Sequence, residues 1–494
     1  MADFDLAIIG GGINGAGIAR DAAGRGLKVL LVEQNDLASG TSSASSKLIH
    51  GGLRYLEHGA LSLVRAALKE REVLLRMAPH LIRPLRFVLP LDATLRSPFL
   101  VRLGLLVYDL IGAREILPPT RALDLISDEA GQPLQRRFHH GYEYSDCFAD
   151  DARLVVLNAL DAAERGAVIR TRTRCVRAER AERWRLVLKA RGQREEVTAR
   201  VLVNAAGAWA DMVAETVLRQ GGAPRLRLDK GTHIVVRRLY EHERAYILQA
   251  ADGRVVFTIP FQGDFTLIGT TDAGFSGDPG GVLPTAEEID YLCGVVNRYF
   301  RASIGGADAV WAFAGVRALY DDGAGKPQDV GRDYVLGLDK RYGEAPLLTV
   351  YGGKLTTYRR LAEDALGRLA RFFSPARPWT AASPLPGGDF GYDGMPALVE
   401  RTQRRWPFLS AGHARRLTGA YGTRVESILQ SAARLDDLGQ RFGADLTAAE
   451  VRYLMTKEFA QTADDVLWRR SKLGLRLSDA QRAALDRFMA QGGG

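Results

Sequence analysis

The chain has 494 residues, 46% hydrophobic and 25% charged, the composition of an ordinary soluble protein with room for two or three domains. Its formal charge of +9 fits plain solubility and an arginine-rich composition, or an anionic substrate, an anionic membrane surface or nucleic acid. Aromatic residues do not interleave with basic clusters and no nucleic-acid motif appears, so no nucleic acid is expected. The three cysteines, Cys147, Cys175 and Cys293, are odd in number and far apart, which argues against a disulfide framework or a metal site.

From the N-terminus, Asp5 to Ile9 reads as a short buried strand, followed at once by the glycine run from Gly10. An amphipathic stretch, Ile18 to Gly26, leads into a second apolar run, Lys28 to Val32, that ends on Glu33. This is G-x-G-x-x-G at Gly10, Gly12 and Gly15 within a complete βαβ unit, with an acid 18 residues past the last glycine. Gly10 permits the turn, Gly12 admits a pyrophosphate to backbone N–H groups, and Gly15 lets helix and strand pack closely. The helix N-terminus then faces the phosphates, and Glu33 can accept from a ribose diol. The residues call for FAD or NAD(P). The first residues enter this unit directly, without a signal-peptide pattern, so the cytoplasmic side is expected. No run of 18 apolar residues exists that could span a bilayer.

Further along, a helix is expected from Leu61 to Met77, stopping before Pro79, and a less regular stretch from Leu81 to Asp150. A buried strand at 200–207 closes on small residues, and 228–275 reads as successive strands. Thr285 with Glu288 makes a capping box, and a strand from Pro346 to Tyr351 leads into Gly352-Gly353 and a helix. Residues 374–394 are crowded with Pro, Gly and Ser and read as a linker. Beyond them 395–494 reads as all-helical, with capping boxes at Thr447/Glu450 and Ser478/Gln481.

Four segments carry chemistry. The loop Gly40 to Lys47, directly after the Glu33 strand, offers hydroxyls and N–H groups to a phosphate chain. His50-Gly51-Gly52 lets backbone approach a flat ring and sets Arg54 toward an anion, or is a plain turn before a helix with a surface arginine. The turn Asn204 to Asp211, through Gly207, passes beneath a ligand or is a plain strand-to-helix turn. Gly352-Gly353-Lys354-Leu355-Thr356-Thr357 places a helix start and a lysine at a second strand–helix junction; it lacks the Walker spacing.

Together these segments resemble the FAD-dependent respiratory glycerol-3-phosphate dehydrogenases, within the wider family of glycine oxidase and amino-acid-oxidase-like flavoproteins. The likeness covers nearly the whole chain: SSKLIHGGLRYLEHG (45–59), EREVLLRMAPHL (70–81), GYEYSDCFADDARLV (141–155), KGTHIVV (230–236), IGTTD (268–272), GVRAL (315–319), GGKLTTYR (352–359) and DDVLWRR (464–470). The departures are small, NAAGAWAD for a NATGPWVD-like segment and GVRAL without a following Pro. The resemblance implies an α/β (α+β) fold: a Rossmann-like FAD-binding domain, an interleaved antiparallel-sheet substrate domain and a C-terminal helical domain. The expected divisions are 1–80, 151–227 and 310–373 for FAD, and 81–150 with 228–309 for substrate. A linker at 374–394 and the helical domain at 395–494 follow.

The cofactor it implies is FAD and the substrate glycerol 3-phosphate. The expected FAD contacts are Gly10, Gly12, Gly15, Glu33, Thr41, Ser42, Ser45, Ser46, Lys47, His50, Gly52, Gly207, Gly353, Lys354, Leu355 and Thr356. Oxidising a secondary alcohol beside a phosphate needs cations, a base and a group that steadies the ketone oxygen. Arg54 and Arg332 are the expected phosphate clamp, with Tyr55 and Thr270 beside the substrate. Arg317 and Lys354 are the further cations, and His233 is the favoured base, because arginine does not readily give up its proton. No metal is expected.

Such enzymes pass electrons to ubiquinone, so the chain is expected as a peripheral protein on the cytoplasmic side of the inner membrane, a homodimer being left open. Residues 97–111 are the docking segment, with Phe99, Leu103, Leu106, Val107 and Leu110 on one face and Arg83, Arg86, Arg96, Arg102 and Arg114 supplying charge. A core helix explains the same periodicity equally well. Competing readings are an oxidase on the same fold using oxygen or an amine, and a FAD-binding module without catalysis.

Overall fold

The computed structural model describes residues 2–53, 56, 59–92, 98–112, 115–221, 225–321, 333–373 and 377–493. The strand Phe4–Ile9 lies inside an eight-stranded sheet, parallel to Val29–Val32 on one side and to Gln193–Asn204 on the other. Val168–Arg170 and Leu347–Tyr351 extend this parallel core on its two sides. Val29–Val32 is a fully buried VLLV run, as a parallel strand covered on both faces requires. Ile13–Gly24 covers one face, packed between Asp151–Glu164 and Tyr358–Leu369.

The second sheet has ten strands and is antiparallel except where Ala245–Gln249 runs parallel to Ile82–Pro90. Its longest partners are Leu226–Arg237 and Ala309–Tyr320, paired from Leu226↔Tyr320 through His233↔Phe313. The expected division placed 310–373 with the first sheet. Ala309–Tyr320 instead belongs to the second, because its length matches Leu226–Arg237 and its pairing brings Arg317 opposite Asp229. Leu48–Ile49, expected in the first domain, also joins the second sheet, against His140–Ala149.

The expected linker is packed down along its described part, residues 377–394. Leu385 enters the core under Ile13–Gly24. Arg20, buried and paired to Asp161 at 2.6 Å, donates to Ser383 O at 2.9 Å, and Trp379 Nε1 donates to Asp21 O. Its Gly387 and Gly388 turn tightly against Tyr421 and Met77.

Residues 395–493 form helices about their own core, with one short ribbon, Arg441–Gly443 with Leu446–Thr447. The capping boxes at Thr285/Glu288 and Ser478/Gln481 form. The one at Thr447/Glu450 does not: the buried Glu450 carboxylate accepts from Arg416 at 2.7 Å and from Tyr421 at 2.7 Å.

The helix Pro98–Ile111 turns Leu105 and Tyr108 inward, and Tyr108 Oη accepts from Gly51 N at 2.8 Å while donating to Asp146. Its outer face leaves Phe99 72%, Leu100 64%, Leu103 47%, Leu106 53% and Leu110 73% exposed. No helix among the described residues is long and apolar enough to cross a membrane.

Candidate functional site

A cavity of about 560 Å³ opens at the carboxyl ends of Phe4–Ile9, Val29–Val32 and Gln193–Asn204, and the second sheet forms its far wall. Ligands of open α/β sheets bind at this end. Gly10 makes the turn at φ +116°, a conformation other residues resist, with Ala205 O where a Cβ would sit. Gly15 is not on the cavity wall; a Cβ there would lie 1.9 Å from Gly10 O, so its smallness sets the helix on the strand. Gly12 lines the cavity at the helix start, and Ile13 N donates to Ser42 Oγ at 3.0 Å.

Glu33 accepts from Gly11 N at 2.7 Å and Asn35 N at 2.8 Å, and burial pushes its carboxyl above the usual range despite them. Two backbone donors fix it at the wall with further lone pairs to offer.

The loop after it is held by its own side chains. Thr41 Oγ1 donates to Val316 O, Ser45 Oγ to Asp151, and Ser46 Oγ shares a 2.9 Å hydrogen bond with His233 Nε2. Lys47, expected to meet cofactor, does not line the cavity. It is 1% exposed and its Nζ donates to both oxygens of Asp151 and to Ser43 O, because a buried ammonium must be paired. Burial alone would raise the Asp151 carboxyl; Lys47 and Lys472 bring it below the ordinary value.

His50, Gly52, Gly207, Gly353, Lys354, Leu355 and Thr356 all line the cavity, as do Thr41, Ser42, Ser45 and Ser46. Gly353, at φ +100°, sits against Asn14, whose Nδ2 donates to Gly352 O at 3.0 Å. Burial lowers the His50 imidazole, with Asp146 opposing and Lys354 adding to the shift.

On the far wall stand His233, Thr270 and Arg317. Arg317 pairs with Asp272 at 2.8 Å and donates to Thr270 Oγ1 at 3.2 Å. Gly231 gives them room, since a Cβ there would lie 2.6 Å from Thr270 Oγ1 and 2.7 Å from Arg317 Nη2. His233 is stacked on Phe313 with ring centroids 5.0 Å apart, and its buried Nδ1 has no partner. Burial, then the charges of Arg317 and Lys47, lower it to about 3, so it is neutral across the ordinary pH range. Arg54, Tyr55 and Arg332 lie outside the described residues.

Sequence reasoning passed over Asn14, Asp151, Asp272 and Phe313. Asp151 and Asp272 stand inside the segments GYEYSDCFADDARLV and IGTTD, but their cations, Lys47 and Arg317, lie 104 and 45 residues away along the chain, so no local signal marked either pair.

The chain belongs to the FAD-dependent oxidoreductase family, whose pattern matches residues 5–359. Residues 378–491 match the C-terminal domain of alpha-glycerophosphate oxidase. A glycerol-3-phosphate dehydrogenase of Pseudomonas aeruginosa is 51% identical, over 98% of this chain and 95% of its own length. The aerobic glycerol-3-phosphate dehydrogenase of Escherichia coli is 46% identical, over 99% and 98%, and a D-erythritol 1-phosphate dehydrogenase of Brucella abortus is 48% identical, over 97% and 96%. Among solved structures, glycerol-3-phosphate dehydrogenase from Bacillus halodurans with FAD superposes at TM-score 0.79 with 28% identity, covering 99% of this chain and 90% of that one.

The cavity fits FAD. Its wall carries the glycine turn and helix start suited to a pyrophosphate and the fixed Glu33 carboxylate suited to a ribose. Asn14 Oδ1, on the same wall, is buried without a hydrogen-bond partner and waits for a donor. The cofactor is FAD.

Proposed function

We propose that the protein oxidises sn-glycerol 3-phosphate to dihydroxyacetone phosphate and delivers the electrons to membrane ubiquinone. The observation that carries this is the far wall of the FAD cavity, where Arg317, Thr270 and a neutral His233 meet, with Lys354 on the adjoining turn. A phosphorylated secondary alcohol needs this set: cations for the dianion, and an imidazole free of its proton to receive one. Bound FAD supplies the two-electron acceptor for the C2 hydrogen. Arg317 steadies the substrate oxygen or phosphate, held in place by Asp272. His233 Nδ1 makes no hydrogen bond, and it is the proton-accepting nitrogen in the tautomer whose Nε2–H donates to Ser46 Oγ. A dianion beside the ring favours its protonated form, opposing the burial and the cations that keep it weakly basic in the free protein. On the sequence resemblance alone, Arg54 and Arg332 are assigned to the phosphate and Tyr55 to the substrate, all three outside the described residues.

The Brucella relative, as similar in sequence as the glycerol-3-phosphate dehydrogenases, supports a second reading in which a longer phosphorylated polyol is the substrate. Anaerobic bleaching of the flavin by glycerol 3-phosphate, D-erythritol 1-phosphate, glycerol and glycine separates them. Fast bleaching by the first alone is expected; bleaching only by erythritol phosphate moves the substrate, and bleaching only by glycine sinks both readings.

The five exposed apolar residues of Pro98–Ile111 support peripheral docking on the cytoplasmic face of an anionic membrane. Through Tyr108 the inner face of that helix holds Gly51, which stands between the cavity residues His50 and Gly52. Arg83, though half-exposed, is itself engaged, pairing with Glu243 at 4.0 Å and lying over the Phe148 ring. Arg86 does not contribute as expected, because it is committed to Glu143 at 2.9 Å.

A further inference from the structure

We propose that the C-terminal helical domain is a positioning element of the FAD site, acting through the buried Arg470–Asp36 pair on the loop that carries Glu33. The residues responsible are the DDVLWRR segment, which no step of the proposed reaction uses. Asp465–Arg470 form a π-helical turn, a geometry that is rare and concentrates at functional sites. The turn sits far along the sequence from the cofactor motif, yet its side chains close on residues 33–36.

Three contacts converge there. Arg470 is 0% exposed and makes a two-pronged pair with Asp36, its Nη2 donating to Oδ1 at 2.8 Å; it also donates to Glu458 O at 2.6 Å. Arg469 donates to the same Asp36 carboxylate and pairs with Asp465. Asp465 in turn accepts from Arg172 at 2.7 Å, and the backbone at Arg172 and Thr173 donates to Asn35 O and Glu33 O at 2.9 and 2.8 Å. One buried turn therefore holds the Glu33 loop from its side chain and, through Arg172, from its backbone. On the other side of that loop Ala38 N donates to Gly11 O at 3.0 Å, so its position is shared with the glycine turn. A planar fork on a buried carboxylate fixes direction as well as distance, which an ammonium cannot do.

A domain that holds the loop in its cofactor-binding shape must itself be held by bound FAD, because coupling between two sites is reciprocal. This inference rests on FAD as cofactor and is independent of the substrate reading, since its test contains no substrate. In full-length holoenzyme, Arg470→Met should release FAD about 10- to 100-fold faster, as expected for a lost charged contact, with Arg470→Lys intermediate. Arg416→Met breaks the buried Arg416–Glu450 pair, which lies in the same domain and makes no contact with the loop. It should lower thermal stability and leave FAD release unchanged. In the wild-type protein, adding FAD to apoprotein should slow hydrogen exchange at amides 461–471. Release from Arg470→Met at the wild-type rate overturns the proposal. So does equal acceleration by Arg416→Met, which makes the effect one of general stability. Should Arg470→Met fail to fold, exchange at 461–471 that ignores FAD overturns it instead.

Discussion

Ile13–Gly24 and Pro98–Ile111 are helices of similar length, 12 and 14 residues, and the second is the more apolar. Their burial is reversed. The first is covered along nearly its whole length, Arg20 and Asp21 included, while the second leaves five large apolar side chains in the open. Coverage follows from neighbours rather than from hydropathy. Small residues at Gly15, Ala16 and Ala19 let a strand and two helices close on Ile13–Gly24, and its buried charges are paired with Asp161 and Arg25. The outer face of Pro98–Ile111 meets no such partner among the described residues. Covering five such side chains is worth about 1.5–3 kcal/mol each at most, enough to bind a surface.

The sharpest break of this comparison is one added methyl group in each helix. Gly15→Ala places its Cβ 1.9 Å from Gly10 O, a backbone atom that cannot yield without moving the cofactor turn. Loss of FAD and of soluble protein is expected. Gly104→Ala in the exposed helix meets nothing within 4 Å and should raise stability by about 0.5–1 kcal/mol, the ordinary gain over glycine in a helix. Equal effects on yield and melting temperature would show that the two helices are not packed as described.

Next in size is the chemistry in the cavity that the first helix helps to build. His233→Asn should keep FAD and lose about 10²–10⁴-fold in flavin reduction by substrate, with recovery toward alkaline pH as hydroxide replaces the base. A stopped-flow rate equal to wild type would move the proton to another group.

Acid should act through two buried histidines, His233 on the cavity wall and His80 against Phe390. His233 and His80 are both held to about 3 by burial, against 6.5 when unfolded. The unfolded chain therefore binds more protons between those values. The stability each histidine contributes is intact above pH 6.5 and is lost as pH falls toward 3, at about 1.4 kcal/mol per pH unit per histidine. His80→Phe should flatten the acid limb of melting temperature against pH by one proton. An unchanged slope would mean that His80 takes up its proton in the native state.

The FAD half of the site was legible because its signal is local. The order strand, glycine turn, helix, strand, acid is a geometric sentence, and the structure places Gly10, Gly12 and Glu33 on the cavity as that order demands. What was not legible depends on pairing at long range. Lys47 sits among cavity residues in sequence, but its ammonium faces Asp151, over a hundred residues away. Ala309–Tyr320 reads as a strand in either sheet until Leu226–Arg237 claims it. Residues 377–394 have the composition of a linker and the contacts of a core, since Pro and Gly report turns and say nothing of what the turns lie against.

The smallest expected effect on the folded enzyme is also the test of what covers Pro98–Ile111. Periodicity allowed a core helix or an interfacial one; the exposed side chains at Leu103 and Leu106 make the two predict different outcomes. Leu103→Asp with Leu106→Asp adds charge where water already reaches, so the stability change should stay within about 0.5 kcal/mol, as for ordinary surface substitutions. Flavin content and reduction of a soluble dye should match wild type, because Tyr108 and its bond to Gly51 face inward and are untouched. Binding to anionic liposomes should fail, since two carboxylates replace apolar burial and oppose the surface potential, and turnover with membrane quinone should fall with it. Flotation with the liposomes at the wild-type level would place the membrane surface elsewhere on the molecule. Loss of FAD from the double variant would mean that the helix is covered by protein after all, and the contrast with Ile13–Gly24 would dissolve.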